Sequence, residues 1–225
     1  FTDSLLVGHT TTGTLSSATK NTIVGIDAGD AITQGDYNVA IGFSAAGALT
    51  TASSTTFVGS NSGLLQSTGS GQNTGVGQSV ARYNQTGQDN AALGYHALQG
   101  TSTNSNSYNS AIGSQALAAV TTGDGNVALG YQAGNNITSG SGNVVIGNAD
   151  VSSATGDDQL SISDGEDGSV VWMTGDSSGN LTFPADVTLG DDLLLDSDSC
   201  VLKFGDDQDV TLTHTDGTGL TLNST

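Results

Sequence analysis

A glycine recurs at nearly constant spacing through the first two-thirds of this chain, and it closes the same short apolar word each time. The units read Ser4-Leu-Leu-Val-Gly8, Asn21-Thr-Ile-Val-Gly25, Asn38-Val-Ala-Ile-Gly42, Thr55-Thr-Phe-Val-Gly59 and Asn73-Thr-Gly-Val-Gly77. They continue as Asn90-Ala-Ala-Leu-Gly94, Asn109-Ser-Ala-Ile-Gly113, Asn126-Val-Ala-Leu-Gly130 and Asn143-Val-Val-Ile-Gly147. Successive glycines stand 17, 17, 17, 18, 17, 19, 17 and 17 residues apart. A unit this short cannot bury a core alone, so each copy must stack on its neighbours.

The residue before the glycine is always Val, Ile or Leu, and the one before that is mostly small and apolar, such as Ala40, Ala92 and Ala128. Adjacent residues in a strand point to opposite faces. Both faces of this strand are therefore apolar. One can fill the inside of a coil; the other calls for a second partner, most simply another copy of the chain. A second apolar spot follows three residues after the glycine, at Ala28, Ala45, Val80, Ala97, Ala116 and Ala133. Turn-forming Ser, Thr, Gly, Asn and Asp lie between these spots.

The expected coil is a strand, a glycine bend, a short second strand, a polar turn and a return. The spacing thus predicts an all-β fold: a parallel β-solenoid, or β-roll, of about nine coils of ~17 residues over residues 1–152. A helix does not fit, because the apolar period is wrong and Gly and β-branched residues are too frequent. The Asn that opens seven of the nine units is expected to form a hydrogen-bonded ladder from coil to coil.

Charge narrows the function. Three Lys and Arg stand against 22 Asp and Glu, a formal net charge of −19. Nucleic acid is excluded as a partner, since phosphate neutralisation needs clustered cations, and anionic membrane surfaces are disfavoured. No apolar run reaches the ~18–20 residues of a membrane span, and no signal peptide is visible. The chain begins at Phe1 rather than Met, as expected of a fragment or processed product. A single cysteine, Cys200, leaves no intrachain disulfide framework and says nothing about compartment.

Beyond Asp150 the repeat stops. Residues 151–225 hold fifteen of the 22 acidic residues and one Lys, a local charge of −14. Period-two patterning predicts short strands at Leu160–Ile162, Val170–Met173, Leu181–Phe183, Val187–Leu189, Leu193–Leu195, Val201–Phe204, Val210–Leu212 and Leu220–Leu222. Residues 153–225 are therefore expected to form a second, acidic, short-stranded β region. It is too thin for a large core of its own, so oligomerisation is again expected.

The repeat units resemble the head repeats of trimeric autotransporter adhesins, and more closely the related repeats in fibres of tailed bacteriophages. Asn90-Ala-Ala-Leu-Gly-Tyr-His-Ala-Leu98 and Asn126-Val-Ala-Leu-Gly-Tyr-Gln-Ala-Gly134 are similar to the phage form. So is Trp172-Met-Thr-Gly-Asp-Ser-Ser-Gly-Asn180, which looks like the segment that follows such repeats. Gly205-Asp-Asp-Gln-Asp-Val-Thr-Leu-Thr-His214 resembles a stretch recurring in structural proteins of marine phages. The resemblance implies a left-handed β-roll in a parallel homotrimer, carried extracellularly on a virion as a tail fibre. It implies further partners among the other tail proteins and a host-cell receptor, for example a glycan. The adhesin heads have shorter units than these.

Few residues suggest chemistry. Gly175-Asp-Ser-Ser-Gly179 matches a nucleophile-elbow pattern at Ser177, with His214 downstream. That motif needs a strand, a sharp turn and then a helix, whereas Leu181-Thr-Phe183 reads as another strand, so a turn is expected. Asp196, Asp198, Asp206, Asp207 and Asp209 offer oxygens that suit Ca²⁺ or Mg²⁺, but they lack the glycine and distal Glu of a calcium loop, and solvated turns are expected. His9 and His96 have no partner at ligand spacing. Phe43, Tyr95 and Tyr131 share the position after the repeat glycine, where a ring can stack on a sugar or pack on a neighbouring coil or subunit.

The reading at this stage is a non-enzymatic structural and adhesive fibre with no catalytic, metal or cofactor-binding residue, no cofactor, no nucleic acid and no membrane insertion. The alternatives are the head of a cell-surface trimeric adhesin and a polysaccharide-cleaving tailspike. The second normally needs paired carboxylates at a groove, and the seven acidic residues of the repeat form no recurring pair.

Overall fold

The computed structural model describes residues 4–8, 17–101 and 104–189. Nine short strands end just before the repeat glycines: β1 (Leu5–Val7), β2 (Thr22–Val24), β3 (Val39–Ile41), β4 (Thr56–Val58), β5 (Thr74–Val76), β6 (Ala91–Leu93), β7 (Ser110–Ile112), β8 (Val127–Leu129) and β9 (Val144–Ile146). Three more follow, β10 (Leu160–Ser163), β11 (Val171–Gly175) and β12 (Leu181–Thr182). Among the described residues there is no helix. The twelve strands form one sheet in chain order. Pairing from β1 to β10 is parallel and in register, so coil n carries strand βn. The all-β parallel solenoid expected from the spacing is the fold, and ten strands at ~4.8 Å make a stack of roughly 43 Å.

In β2 to β9 the middle position faces inward. Ile23, Ala40, Phe57, Ala92, Ala111, Ala128 and Val145 lie in one buried row. The flanking residues point outward, so Leu93 is 51% and Leu129 48% exposed. Four of these seven are alanine, which suits a thin coil, while Ile23, Phe57 and Val145 are larger. The chain makes room for Phe57. A Cβ on Gly63 would lie 2.5 Å from the Phe57 ring, and one on Gly75 in the next coil would lie 2.9 Å from it.

The repeat glycine has a backbone reason. From Gly25 to Gly130 its φ lies between 131° and 140°, where side chains are strained. A Cβ there would also meet the next coil's backbone; on Gly113 it would stand 2.1 Å from the Gly130 carbonyl oxygen.

The short second strand expected after the glycine is a turn instead. Ala28, Ala45, Val80, Ala97, Ala116 and Ala133 are buried as expected, but in turns. Left-handed residues alternate through this segment, for example Ser44 (φ 51°) and Ala46 (φ 49°), and this cannot be an extended chain. The backbone still bonds outward to both neighbouring coils: Ser44 N–H donates to the Ile26 carbonyl at 2.9 Å, and Ala46 N–H to that of Ser62 at 2.9 Å.

The Asn ladder is present and does more than link amides. Asn126 donates from Nδ2 to Asn109 Oδ1 at 3.1 Å and to the Gly140 carbonyl at 3.0 Å. Its backbone N–H donates to the same Asn109 Oδ1 at 2.9 Å. This pattern repeats at Asn90, Asn109 and Asn143, and Gln159 extends it to coil ten. In coil four Thr55 substitutes, its N–H and Oγ1 both reaching Asn38 Oδ1 at 3.0 Å. These side chains are buried, so each bond satisfies groups that water cannot reach.

After β10 the chain stops coiling. β11 pairs antiparallel with β10, and β12 with β11. The strands expected around Leu160, Val170 and Leu181 are these three. Val187–Leu189, also expected as a strand, is irregular and exposed, three residues after Pro184, which has no N–H to donate to a ladder. The strands expected from Leu193 onward lie outside the described residues. The described residues up to Asp186 form one compact unit.

Candidate functional site

The outward row before each glycine forms the main exposed feature. Val7, Ile41, Val76, Leu93, Ile112, Leu129 and Ile146 are exposed, Val24 and Val58 of coils two and four are half-buried, and parallel register sets all nine in a single line along the stack. Ile26, Phe43, Tyr95 and Tyr131, in the position just after the glycine, are exposed as well. Adding these rows gives a long apolar surface that the chain does not cover within its described residues.

Tyr95 is a candidate ring in the sequence and His96 is not, having no partner at ligand spacing; the coil-six turn stacks the two. Their ring centres are 3.8 Å apart and their planes 16° from parallel. His96 has φ 57°, in the left-handed region. Burial, and then the nearby positive charge of Arg82, lower its pKa below the usual 6.5, which favours the neutral imidazole at pH 7. Arg82, from the coil-five turn, packs over the Tyr83 ring 5.1 Å from its centre. Its Nε is shut away from solvent and meets no hydrogen-bond acceptor.

The Arg82 contribution was missed in the sequence reading. A signal was available: between Tyr37 and Gly123 the chain has one carboxylate, Asp89, and one Lys or Arg, Arg82.

Ser177 lies in the turn that joins β11 to β12. Gly179 N–H donates to the Asp176 carbonyl at 3.0 Å, and the Asp176 carboxylate accepts the backbone N–H groups of Ser178 and Asn180 at 2.9 and 3.0 Å. Strands flank this turn on both sides, so the helix that an elbow nucleophile requires is not there. These bonds, with the Asn180 side chain first, hold the Asp176 carboxyl below its usual range.

His214, Asp196, Asp198, Asp206, Asp207, Asp209, Cys200 and His9 lie outside the described residues. Among the described residues no three His, Cys, Asp or Glu side chains group as metal ligands do. A cavity of about 190 Å³ sits beside β10–β12, lined by Asp150, Ser152, Gln159, Thr174, Asp176 and Asn180. Its carboxylates already serve the backbone: Asp150 Oδ1 accepts the Asn136 N–H at 3.1 Å, and Asp176 holds its own turn. No helix of the described residues is long and apolar enough to cross a membrane.

No protein-family description, curated protein or solved structure matches this chain.

Proposed function

We propose that this chain is a segment of a homotrimeric tail fibre of a tailed bacteriophage, extracellular on the virion, which serves host attachment and is not an enzyme. The observation that carries the reading is the line of exposed Val, Ile and Leu side chains at Ile41, Leu93, Ile112 and Leu129. A soluble monomer avoids a continuous apolar stripe of this length. Cyclic symmetry brings three identical stripes together on one axis and removes them from water. The alanine row at Ala92 and Ala128 is spent inside the coil, so the larger side chains are the ones left for partners.

The resemblance of Asn90–Leu98 and Asn126–Gly134 to phage fibre repeats supports the virion as carrier, with the other tail proteins and a host-surface receptor as further partners. The net charge of −19 argues against nucleic acid as a partner.

Sedimentation equilibrium of the purified chain tests the assembly. Three chain masses are expected, and a stable monomer at micromolar concentration overturns it. Gold-labelled antibody against the chain tests the location, with label at the tail of intact phage particles as the expected result.

A further inference from the structure

We propose that the turns of coils five and six form a binding site for a carboxylated saccharide, in which Arg82 takes the carboxylate and the Tyr95–His96 stack takes the face of the sugar ring. The inference rests on the attachment reading and deepens it by naming a ligand class and its place.

Backbone bonds between adjacent coils fix the arrangement. His96 N–H donates to the Gln78 carbonyl at 3.0 Å, Ala81 N–H to that of Ala97 at 3.0 Å, and Tyr83 N–H to that of Gln99 at 3.1 Å. Arg82 is thereby held one coil away from the stacked rings. The half-buried Arg82 is a cation whose Nε has no acceptor. Nε is closed to solvent, so the groups open to a ligand are the outer Nη nitrogens, which form no ion pair with a carboxylate of the described residues and offer a planar oxyanion two parallel bonds. Tyr95 is 47% exposed, and the imidazole stacked on it, kept neutral by burial, extends the ring into a platform. Such a surface suits the apolar face of a pyranose, with the phenol hydroxyl free to bond a sugar hydroxyl.

Charge selects this place over others on the chain. Residues 37–123 carry one acidic residue against one Arg, while the other 21 acidic residues lie outside that stretch. An anion approaching coils five and six therefore meets little of the repulsion that the rest of the chain presents.

The test uses the full chain and three probes: tetragalacturonate, neutral maltotetraose and sodium acetate. Calorimetry gives affinities, and the His96 imidazole resonances report the place of binding. Tetragalacturonate is expected to bind and to shift His96, with maltotetraose about tenfold weaker or more and acetate weaker still. Arg82→Gln should weaken tetragalacturonate about tenfold or more and leave maltotetraose unchanged, and Arg82→Lys should fall between.

Tyr95→Ala, at an exposed position, should weaken both saccharides and covers the case in which Arg82→Gln does not fold. The site is overturned if the wild-type chain does not bind tetragalacturonate, if Arg82→Gln binds it unchanged, or if acetate binds equally well. Adsorption of the wild-type chain to a panel of bacteria, run in parallel, separates the two readings. Adsorption that survives Arg82→Gln sinks this site alone, while labelled virions lacking the chain sink the attachment reading whatever tetragalacturonate does.

Discussion

The coils and the hairpin beyond Ser163 satisfy their polar groups over different distances. In the coils the partner is a whole turn away: the Asn126 N–H finds Asn109 Oδ1 across 17 residues. In the hairpin the partner is local. Asp164 accepts the N–H groups of Glu166, Asp167, Gly168 and Val170, all within six residues. The coil interior is buried, whereas Trp172, Leu181 and Phe183 of the hairpin are exposed. A coil is thus stable only through its neighbours, and damage to one should spread along the stack. The hairpin should lose only what is touched.

The same glycine substitution in the two regions gives the widest separation. Gly113→Ala places a methyl 2.1 Å from the Gly130 carbonyl at φ 134°, so two coils must part. We expect a loss of about 4 kcal/mol or more, by analogy with the most damaging core changes. Gly179→Ala meets nothing within 4 Å and bears only the strain of φ 79°, roughly 1–2 kcal/mol. Thermal unfolding followed by circular dichroism decides. Equal shifts in melting temperature would show that the coils do not depend on close stacking.

Association should part the inner row from the outer. Leu93→Asp with Leu129→Asp alters exposed side chains and should leave each coil folded while dissociating the proposed trimer, because a charge buried in an interface without a partner is costly. Sedimentation together with far-ultraviolet circular dichroism reads both effects. A trimer that survives the pair places the interface elsewhere.

A smaller effect is expected from the polar ladder. Asn109→Ala removes the acceptor of the Asn126 N–H and the donor to the Gly123 carbonyl, both buried within the stack. Leaving such groups unpaired costs about 1–3 kcal/mol each, so a loss of roughly 2–6 kcal/mol is expected. Asn180→Ala, which removes only the exposed Nδ2 bond to Asp176, should cost under ~1 kcal/mol. Denaturant melts of both variants make the comparison, and similar midpoints would count against the ladder as a stabilising device.

The coil period and its register were legible because one glycine per coil must face the next coil's backbone, which leaves a mark every 17 or so residues. The orientation of the strand was not, since Ala92 and Leu93 are both apolar and alternation alone does not say which is inside. The turn after the glycine was misread as a strand because left-handed Ala46, Leu98 and Leu117 run against local propensity, and only bonds to both neighbouring coils hold them there. Tyr95 could be picked out by its place after the repeat glycine, and His96 could not. Their meeting with Arg82 could not, because it depends on which turns the coils bring side by side.

The smallest expected effect is a titration. The Asp164 carboxyl is held at about 2, below its usual 3.8, chiefly by the Val170 N–H and then by that of Asp167. Asp167 and Asp176 are lowered in the same direction. A carboxylate lowered in the folded state contributes stability that is fully present above the unfolded value near 3.8 and is lost as pH falls towards 2. Loop 164–170 should therefore loosen between about pH 4 and pH 2. The Asn109–Asn126 link contains only amides, which do not titrate in that range. The effect on overall melting should be slight, because Asp164 is solvated and its bonds are local. Amide exchange resolves it: Val170 should lose protection across this window while Asn126 keeps its own, once the intrinsic pH dependence is removed. Asp164→Asn should abolish the change at Val170. Loss of protection at both sites together would mean that the hairpin and the coils open as one unit, and the contrast between them would fail.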